Sequence, residues 1–378
     1  NTFVNTSRDG PDLDNGDGHD VVSRTEFSFA PRAGVAIEGG TEARRSSASA
    51  REQVFTGGRF QLRESYNASA ITASAFALTR LTSAGGATLT PGVRVDHGSL
   101  NGDTTASPWI GGSLPIGHAL TLRAGGGGYR QEPDFAERLG FRGTTGLAPE
   151  RAYHADAGIE GRVSQTLRWQ ATVYNREDRD LLRLPGSELR LVNGAVLSGS
   201  TTTHYVNALD GYARGVELMI ERRTPNGFSG WVSYSLGFNR YRDHTTGETF
   251  DGDFDQRHTI NVYGNYRASD RLSLNARFRA GSNVPVTGYW TEHDGGDYAS
   301  DQRNLARMPF YSRLDLRANR TFTKEHKRLT LFLEAINVFN RSNVRQDVPN
   351  VDRRTFLATH LFETMLPLVP SIGVLVEF

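Results

Sequence analysis

The chain has 378 residues, no cysteine, 43 basic against 42 acidic side chains, 37% hydrophobic residues and a mean hydropathy of −0.48. This balance excludes a disulfide framework, a thiol nucleophile and the one-signed field of a nucleic-acid-binding surface. It also excludes a helical membrane protein, because no run approaches the roughly 18 apolar residues a spanning helix needs. A membrane β-barrel stays open, since only every second strand residue meets lipid.

The N-terminus, Asn1-Thr2-Phe3-Val4-Asn5, lacks a charged segment followed by an apolar one, so no signal peptide is expected within the chain. Residues 1–20 read as an extracellular loop, dense in Asp, Gly and Asn. Extended segments follow near 21–31 and 35–46, then a long polar connection over 47–68. A third segment near 69–82 carries Ile71, Ala73, Ala75 and Ala77 on one face, with Phe76 and Leu78 on the opposite one, and a fourth carries Leu89, Val93 and Val95. Segments near 105–115 and 118–129 flank a short turn. Gly125 to Gly128 lacks the Lys-Ser/Thr and helix of a phosphate loop and reads as a small-residue strand tract.

Further along the alternation is strict. Leu167, Trp169, Ala171 and Val173 oppose Arg168, Gln170 and Thr172, and Val216, Leu218 and Ile220 oppose Glu217 and Glu221. Leu272, Leu274, Ala276, Phe278 and Ala280 oppose Ser273, Asn275, Arg277 and Arg279. In the last nine residues Ile372, Val374, Val376 and Phe378 share a face, because side chains alternate with a period of two. Tight turns near 31–34, 83–86, 115–118, 163–166, 222–227, 267–271 and 322–328 alternate with long connections near 47–68, 97–104, 130–149, 183–203, 241–255, 282–309 and 341–367. One short and one long rim is the habit of outer-membrane barrels. Counting back from a periplasmic C-terminus gives about fifteen strands, an odd number for a bacterial barrel, so a strand ending at Thr2-Phe3-Val4 is expected to begin before Asn1.

Several motifs in order then resemble the TonB-dependent outer-membrane receptors. They are Leu147-Ala148-Pro149-Glu150, Tyr212-Ala213-Arg214-Gly215-Val216-Glu217, Asp255-Gln256-Arg257-His258-Thr259, Glu334-Ala335-Ile336-Asn337-Val338-Phe339-Asn340 and the terminal strand ending in Phe378. Residues 1–145 match only in rhythm. The resemblance implies an all-β antiparallel transmembrane barrel of about 22 strands, of which residues 1–378 would supply a partial barrel domain without the N-terminal plug. It implies partners as well: outer-membrane lipid, the missing plug, the TonB energy-transducing complex reached through that plug, and a small-molecule nutrient such as a ferric siderophore, cobalamin or an oligosaccharide. Ile372, Val374, Val376 and Phe378 are similar to the signal strand read by the barrel-assembly machinery. The location implied is the bacterial outer membrane, and the alternative function is a passive porin-like channel or an outer-membrane scaffold without a plug.

No cofactor, metal or catalytic site is expected. Asp251, Asp253 and Asp255 lack the Glu that closes a calcium loop and read as solvated carboxylates. Ser229, His258 and Asn261 carry no nucleophile signature, so an enzyme is not expected. Asn337 and Asn340 read as backbone-satisfying residues at a strand end. The aromatic residues Tyr289, Trp290 and Tyr298, in the 282–309 loop, are the candidate ligand contacts.

Overall fold

A computed structural model describes residues 2–9, 12–325 and 327–378, with side chains from Leu13 onward. The main sheet has 17 strands, and all but one follow each other as an antiparallel meander. They are β1 (Thr2–Asp9), β2 (Asp12–Arg32), β3 (Val35–Thr56), β4 (Arg59–Thr82), β5 (Thr88–Gly98) and β6 (Thr104–Ile116). After β7 (Leu120–Gln131) come β8 (Glu150–Arg162), β9 (Leu167–Arg183), β10 (Val206–Arg222) and β11 (Gly227–Asp243). The last are β12 (His258–Ser269), β13 (Leu272–Gly281), β14 (Tyr311–Lys324), β15 (Lys327–Ile336) and β16 (Val369–Glu377). The remaining strand, Thr249–Asp251, pairs back onto β11. No described helix is long and apolar enough to cross a membrane.

The pairing register sorts the side chains. Ile372, Leu333, Ala318, Leu274, Tyr266 and Phe228 lie opposite one another on six successive strands. One residue along, Ser371, Glu334, Arg317, Asn275, Asn265 and Ser229 form the matching row on the other face. Ile372 is 82% and Leu333 60% exposed. An apolar face this continuous is costly in water and is what hydrocarbon requires. The polar face is the inner one, and there aromatic rings cover glycines on the neighbouring strand. A Cβ on Gly92 would come within 2.3 Å of the Trp109 indole, and one on Gly40 within 2.8 Å of Phe76. Phe76 thus faces inward to shield a bare stretch of backbone, which explains its position opposite the apolar row.

Two stretches differ from expectation. Residues 47–68 are strand on both sides of a Gly57-Gly58 turn, so β3 and β4 run for 22 and 24 residues. Most of residues 1–20 is likewise strand: Thr2-Phe3-Val4 opens β1, which pairs with β2 from Thr2–His19 to Asp9–Asp12. Gly10 and Pro11, in the expected loop, lie outside the described residues. Beyond the bilayer both strand faces are wet, so a strand there has no apolar period to read. With β1 included, the meander holds one strand more than expected. The long connections 132–149, 184–205, 244–257, 282–310 and 337–368 all fall on one rim, whereas that at 99–103 is short.

The sidedness is testable by substitution. Val262→Arg, on the outward face opposite Phe278 and Val232, is expected to destabilise the folded protein by about 2–4 kcal/mol in lipid vesicles. Asn261→Arg, one residue away and inward, is expected to cost less than about 1 kcal/mol. Urea unfolding in vesicles measures both.

Candidate functional site: the long-loop rim

The long loops build a second core above the sheet. Short hairpins rise from them at Arg190–Leu197, Trp290–Ala299 and Val344–Thr364. Val196, Val286, Trp290, Ala299, Ala306 and Leu361 are buried together where these hairpins meet. Backbone bonds join them: Leu191 N–H donates to Ser300 O at 2.8 Å and Ala299 N–H to Phe356 O at 2.9 Å. The Gln346 side chain accepts from Thr287 N–H and donates to Thr287 O, both at 2.8 Å.

A charged clasp holds three loops at once. Arg303, nearly buried, donates to Glu188 at 2.9 Å and to Asp253 at 2.7 Å. Arg183 donates to Glu188 at 2.9 Å from the opposite side. Asp251 accepts from Arg257 and Arg307, both at 2.9 Å. Asp255, 1% exposed, accepts from Arg257 and Arg307 and also from Asn239 N–H at 2.6 Å. The three alternating aspartates are therefore ion-paired, with Asp255 buried and Asp251 and Asp253 part-exposed: arginines take them. Among the described residues no group of His, Cys, Asp and Glu is placed to hold a metal. Burial raises the Glu188 and Asp253 carboxyls, and hydrogen bonds from Arg303 more than offset it, leaving both below the usual range.

Tyr289 and Trp290 are 3% and 5% exposed. The Tyr289 hydroxyl donates to Glu248 and the Trp290 indole to Thr287 O. Of the three loop aromatics, Tyr298 alone retains appreciable surface, and it stacks on His293 at 3.8 Å. Asn337 is 1% exposed, has a φ of 55° and donates to Arg341 O and Leu366 O. Asn340 accepts from Leu368 N–H at 2.9 Å. Both thus satisfy backbone at the end of β15. Ser229 pairs with Asn265 and Asn261 with Ser233, while His258 lies opposite Leu236, so these three are spread along the strands. His258 Nδ1 instead meets the Tyr234 hydroxyl at 2.8 Å.

Beneath the loops the inner wall of β13 and β14 is basic. Arg279 lies opposite Arg313 and Arg277 opposite Asp315. Asp315 accepts from Arg313 at 2.7 Å and Glu334 lies 3.9 Å from Arg317, leaving Arg277 and Arg279 in excess. The Arg279 guanidinium sits 5.7 Å from the Tyr311 ring centroid. A hollow of about 520 Å³ opens here between Tyr263, Arg277, Arg313 and Glu334. Sequence reading missed both the clasp and this wall. Asp251, Asp253 and Asp255 were visible as a group, but Arg303 and Arg307, which close the clasp on them, lie some fifty residues away, where no local spacing marks them.

The clasp has two expected consequences. Arg303→Ala leaves Asp253 without its arginine and Glu188 with Arg183 alone, and is expected to loosen the loop assembly by about 3 kcal/mol, the lower end for a buried pair because both acids keep some water. Amides between Val284 and Met308 then exchange faster by hydrogen–deuterium mass spectrometry. In the wild type the depressed carboxyls hold the clasp in full above their ordinary values of 4.5 and 3.8. The contribution begins to fall below the higher of these and is lost as pH drops through the lower folded values, so cleavage of the loops by a protease active in acid, such as pepsin, is expected to rise only below about pH 4.5.

The β-barrel model described as "TonB dependent receptor-like, beta-barrel" matches residues 2–338. Among curated proteins none matches the sequence. The copper transporter OprC superposes with a TM-score of 0.67 at 14% identity, over 96% of this chain and 56% of its own. Ferric citrate transporter FecA in its unliganded form gives 0.65 at 14% identity, over 99% and 57%. The outer membrane transporter YddB from Escherichia coli gives 0.67 at 14% identity, over 96% and 54%. The chain thus spans about half the length of the structures it matches. At such identity the likeness shows the fold, while the family match covers most of the sequence. This chain belongs to the TonB-dependent receptor-like β-barrel family of the outer membrane, whose relatives here are receptors and transporters and not enzymes.

Proposed function

We propose that this chain forms the greater part of the barrel of an energy-coupled receptor that takes up an anionic chelate of a scarce metal, with a ferric siderophore favoured over cobalamin or an oligosaccharide. The observation that supports this reading most is the excess of Arg277 and Arg279 on the inner wall beneath the clasped loops. Guanidinium groups on such a wall favour carboxylate- or catecholate-bearing ligands, and discriminate little among neutral ones. One structural neighbour is a ferric citrate transporter and another is a ferripyoverdine receptor bound to ferripyoverdine. The plug and its contact with the TonB complex belong, in this reading, to sequence outside residues 1–378.

The loops give ligand capture its moving part. Tyr298, stacked on His293, is the aromatic available to touch ligand, while Tyr289 and Trp290 set the shape of its hairpin from within. The outward row of Ile372, Val374, Val376 and Phe378 would serve the barrel-assembly machinery, with Phe378 91% exposed at its end.

In the full-length receptor, Arg277→Gln with Arg279→Gln is expected to weaken ferric citrate or ferric siderophore binding at least about tenfold, since each charge-assisted contact contributes roughly 1.5–3 kcal/mol. Arg123→Gln, low on the inner wall beside Glu160, is expected to leave it unchanged. Isothermal titration reads the outcome. Tighter binding of uncharged cobalamin that ignores the double variant, or a steady open conductance in planar bilayers, overturns the reading.

A further inference from the structure

β4 runs well past its neighbour on one side. It pairs with β3 along its whole length, from Val35–Leu81 to Thr56–Arg59. β5 reaches only to Gly98, opposite Thr72, and the chain then turns back through the short connection 99–103. Residues 59–70 of β4 therefore stand above the wall with a strand on one side and none on the other. β2 and β3 rise behind them, paired from Asp12–Val54 downward, so this is the edge of a backed sheet and not of a lone hairpin.

The direction of each backbone group on that edge follows from the turn below. Ile71 N–H donates to the Ser99 hydroxyl and Ile71 O accepts from Ser99 N–H, both at 2.8 Å, so the turn caps the first ladder site above β5. Backbone groups alternate in direction along a strand, which points the N–H and C=O of Ser69, Asn67 and Ser65 to the same open side. Among the described residues no backbone group meets them there. The 132–149 loop touches β4 through side chains of β4: Phe141 N–H donates to Glu64 at 2.8 Å, and Arg63 lies 5.1 Å from the Phe141 ring. Over residues 65–69 no proline or lysine stands guard on the edge, and the one bulge in the β3–β4 pair lies further up, at Glu52 and Gln53.

Charge decides what kind of strand fits. On the outward face the apolar run of Ala75, Ala73 and Ile71 gives way to exposed Ser69, Asn67 and Ser65, which places this stretch in water above the lipid. Arg45 lies opposite Ile71 and donates to the Ser69 hydroxyl at 3.3 Å, and Arg51 lies opposite Ser65. Both arginines are exposed, and among the described residues neither has a carboxylate partner. Asp17, on the same face, is engaged by His19 at 3.7 Å and by the Ser49 hydroxyl. Asp103, in the turn below, accepts from Asn101 at 2.6 Å. Because Ser65 and Ser69 are short, the two guanidinium groups can extend over them toward the next strand position, about 4.8 Å away.

We propose that this edge takes up an extended acidic segment of a protein partner as an added antiparallel strand. Its backbone bonds with Ser65, Asn67 and Ser69, and carboxylates on its outward face meet Arg45 and Arg51. Both arginines lie on one face, so acids at alternate positions of the segment serve them together. A second copy of this chain brings the same basic edge, so charge favours a foreign acidic segment over self-pairing.

A fluorescein-labelled peptide of alternating Thr and Glu, about ten residues long to span the open edge, tests this by anisotropy with the full-length receptor in neutral detergent at low salt. Arg45→Gln with Arg51→Gln is expected to weaken binding at least about fivefold, the loss of two exposed ion pairs. Asn67→Pro removes an N–H that no ladder bond uses, leaves the β3–β4 pairing intact, and is expected to abolish binding. N-methylation of the peptide at its Glu positions, whose N–H groups face β4 in an antiparallel pair, is expected to abolish it too, and a Lys-for-Glu peptide is expected not to bind. On binding, hydrogen–deuterium exchange is expected to slow over residues 65–69. Heat-modifiable migration on gels confirms that each variant has folded. No binding by the wild type, binding that survives Asn67→Pro or N-methylation, or a receptor dimer lost in Asn67→Pro would each overturn the proposal.

Discussion

Lipid offers no hydrogen bonds, and every other feature of this chain depends on that. A backbone crossing hydrocarbon must satisfy each N–H and C=O within protein, and an antiparallel meander does so strand by strand. Once the register is set, a single residue's slip would turn the whole apolar row of Ile372, Leu333, Ala318, Leu274, Tyr266 and Phe228 inward and the charged row outward. Register is thus held twice, by the ladder and by the solvent on each face. The aromatic rings over Gly40, Gly92 and Gly373 add a third, local lock, since each ring fits only where the partner strand has no Cβ.

Above the bilayer the constraint changes, and so does the construction. The loops can bury apolar side chains in the ordinary way, and they do so around Val286, Trp290 and Leu361. That small core is joined to the sheet by charge. Arg303 and Arg307 reach acids on other loops, while Arg183 and Arg257, at or next to strand ends, anchor the same acids to the wall. Partly buried pairs of this kind add little net stability compared with apolar packing, but they fail sharply when one member is lost.

What could be read from sequence follows the same division. Within the bilayer the alternation of Leu272, Leu274 and Phe278 with Ser273, Asn275 and Arg277 gives strand, face and register together. Over residues 47–56 the run Ser-Ala-Ser-Ala-Arg-Glu-Gln-Val-Phe-Thr has no such apolar period, because water bathes both faces, and the strand there is not legible as one. Asp251, Asp253 and Asp255 were noticed as a group, yet their meaning rests on Arg303 and Arg307, whose approach is a property of the fold. Tyr289 and Trp290 were picked out as loop aromatics. A loop large enough to have its own interior buries such residues, and composition cannot tell interior from rim.

The outward wall carries the same logic to its less regular part. Successive glycines weaken a strand, because they give up side-chain packing and lose more conformational freedom on folding. On the inner side of β6 and β7 that loss is offset: Trp109 covers Gly92 and lies against Gly127. On the outer side the Tyr153 ring lies over Gly128, but no side chain covers Gly126 in the same way, and around it the wall falls away into a hollow. Close packing is as favourable in hydrocarbon as in a protein core, so a hollow there is filled by whatever the leaflet provides. Chain alone would suffice for the lower part. The guanidinium groups at its top are held by protein: Arg130 donates to the Tyr153 hydroxyl and to Tyr129 O, and Arg151 pairs with Asp180.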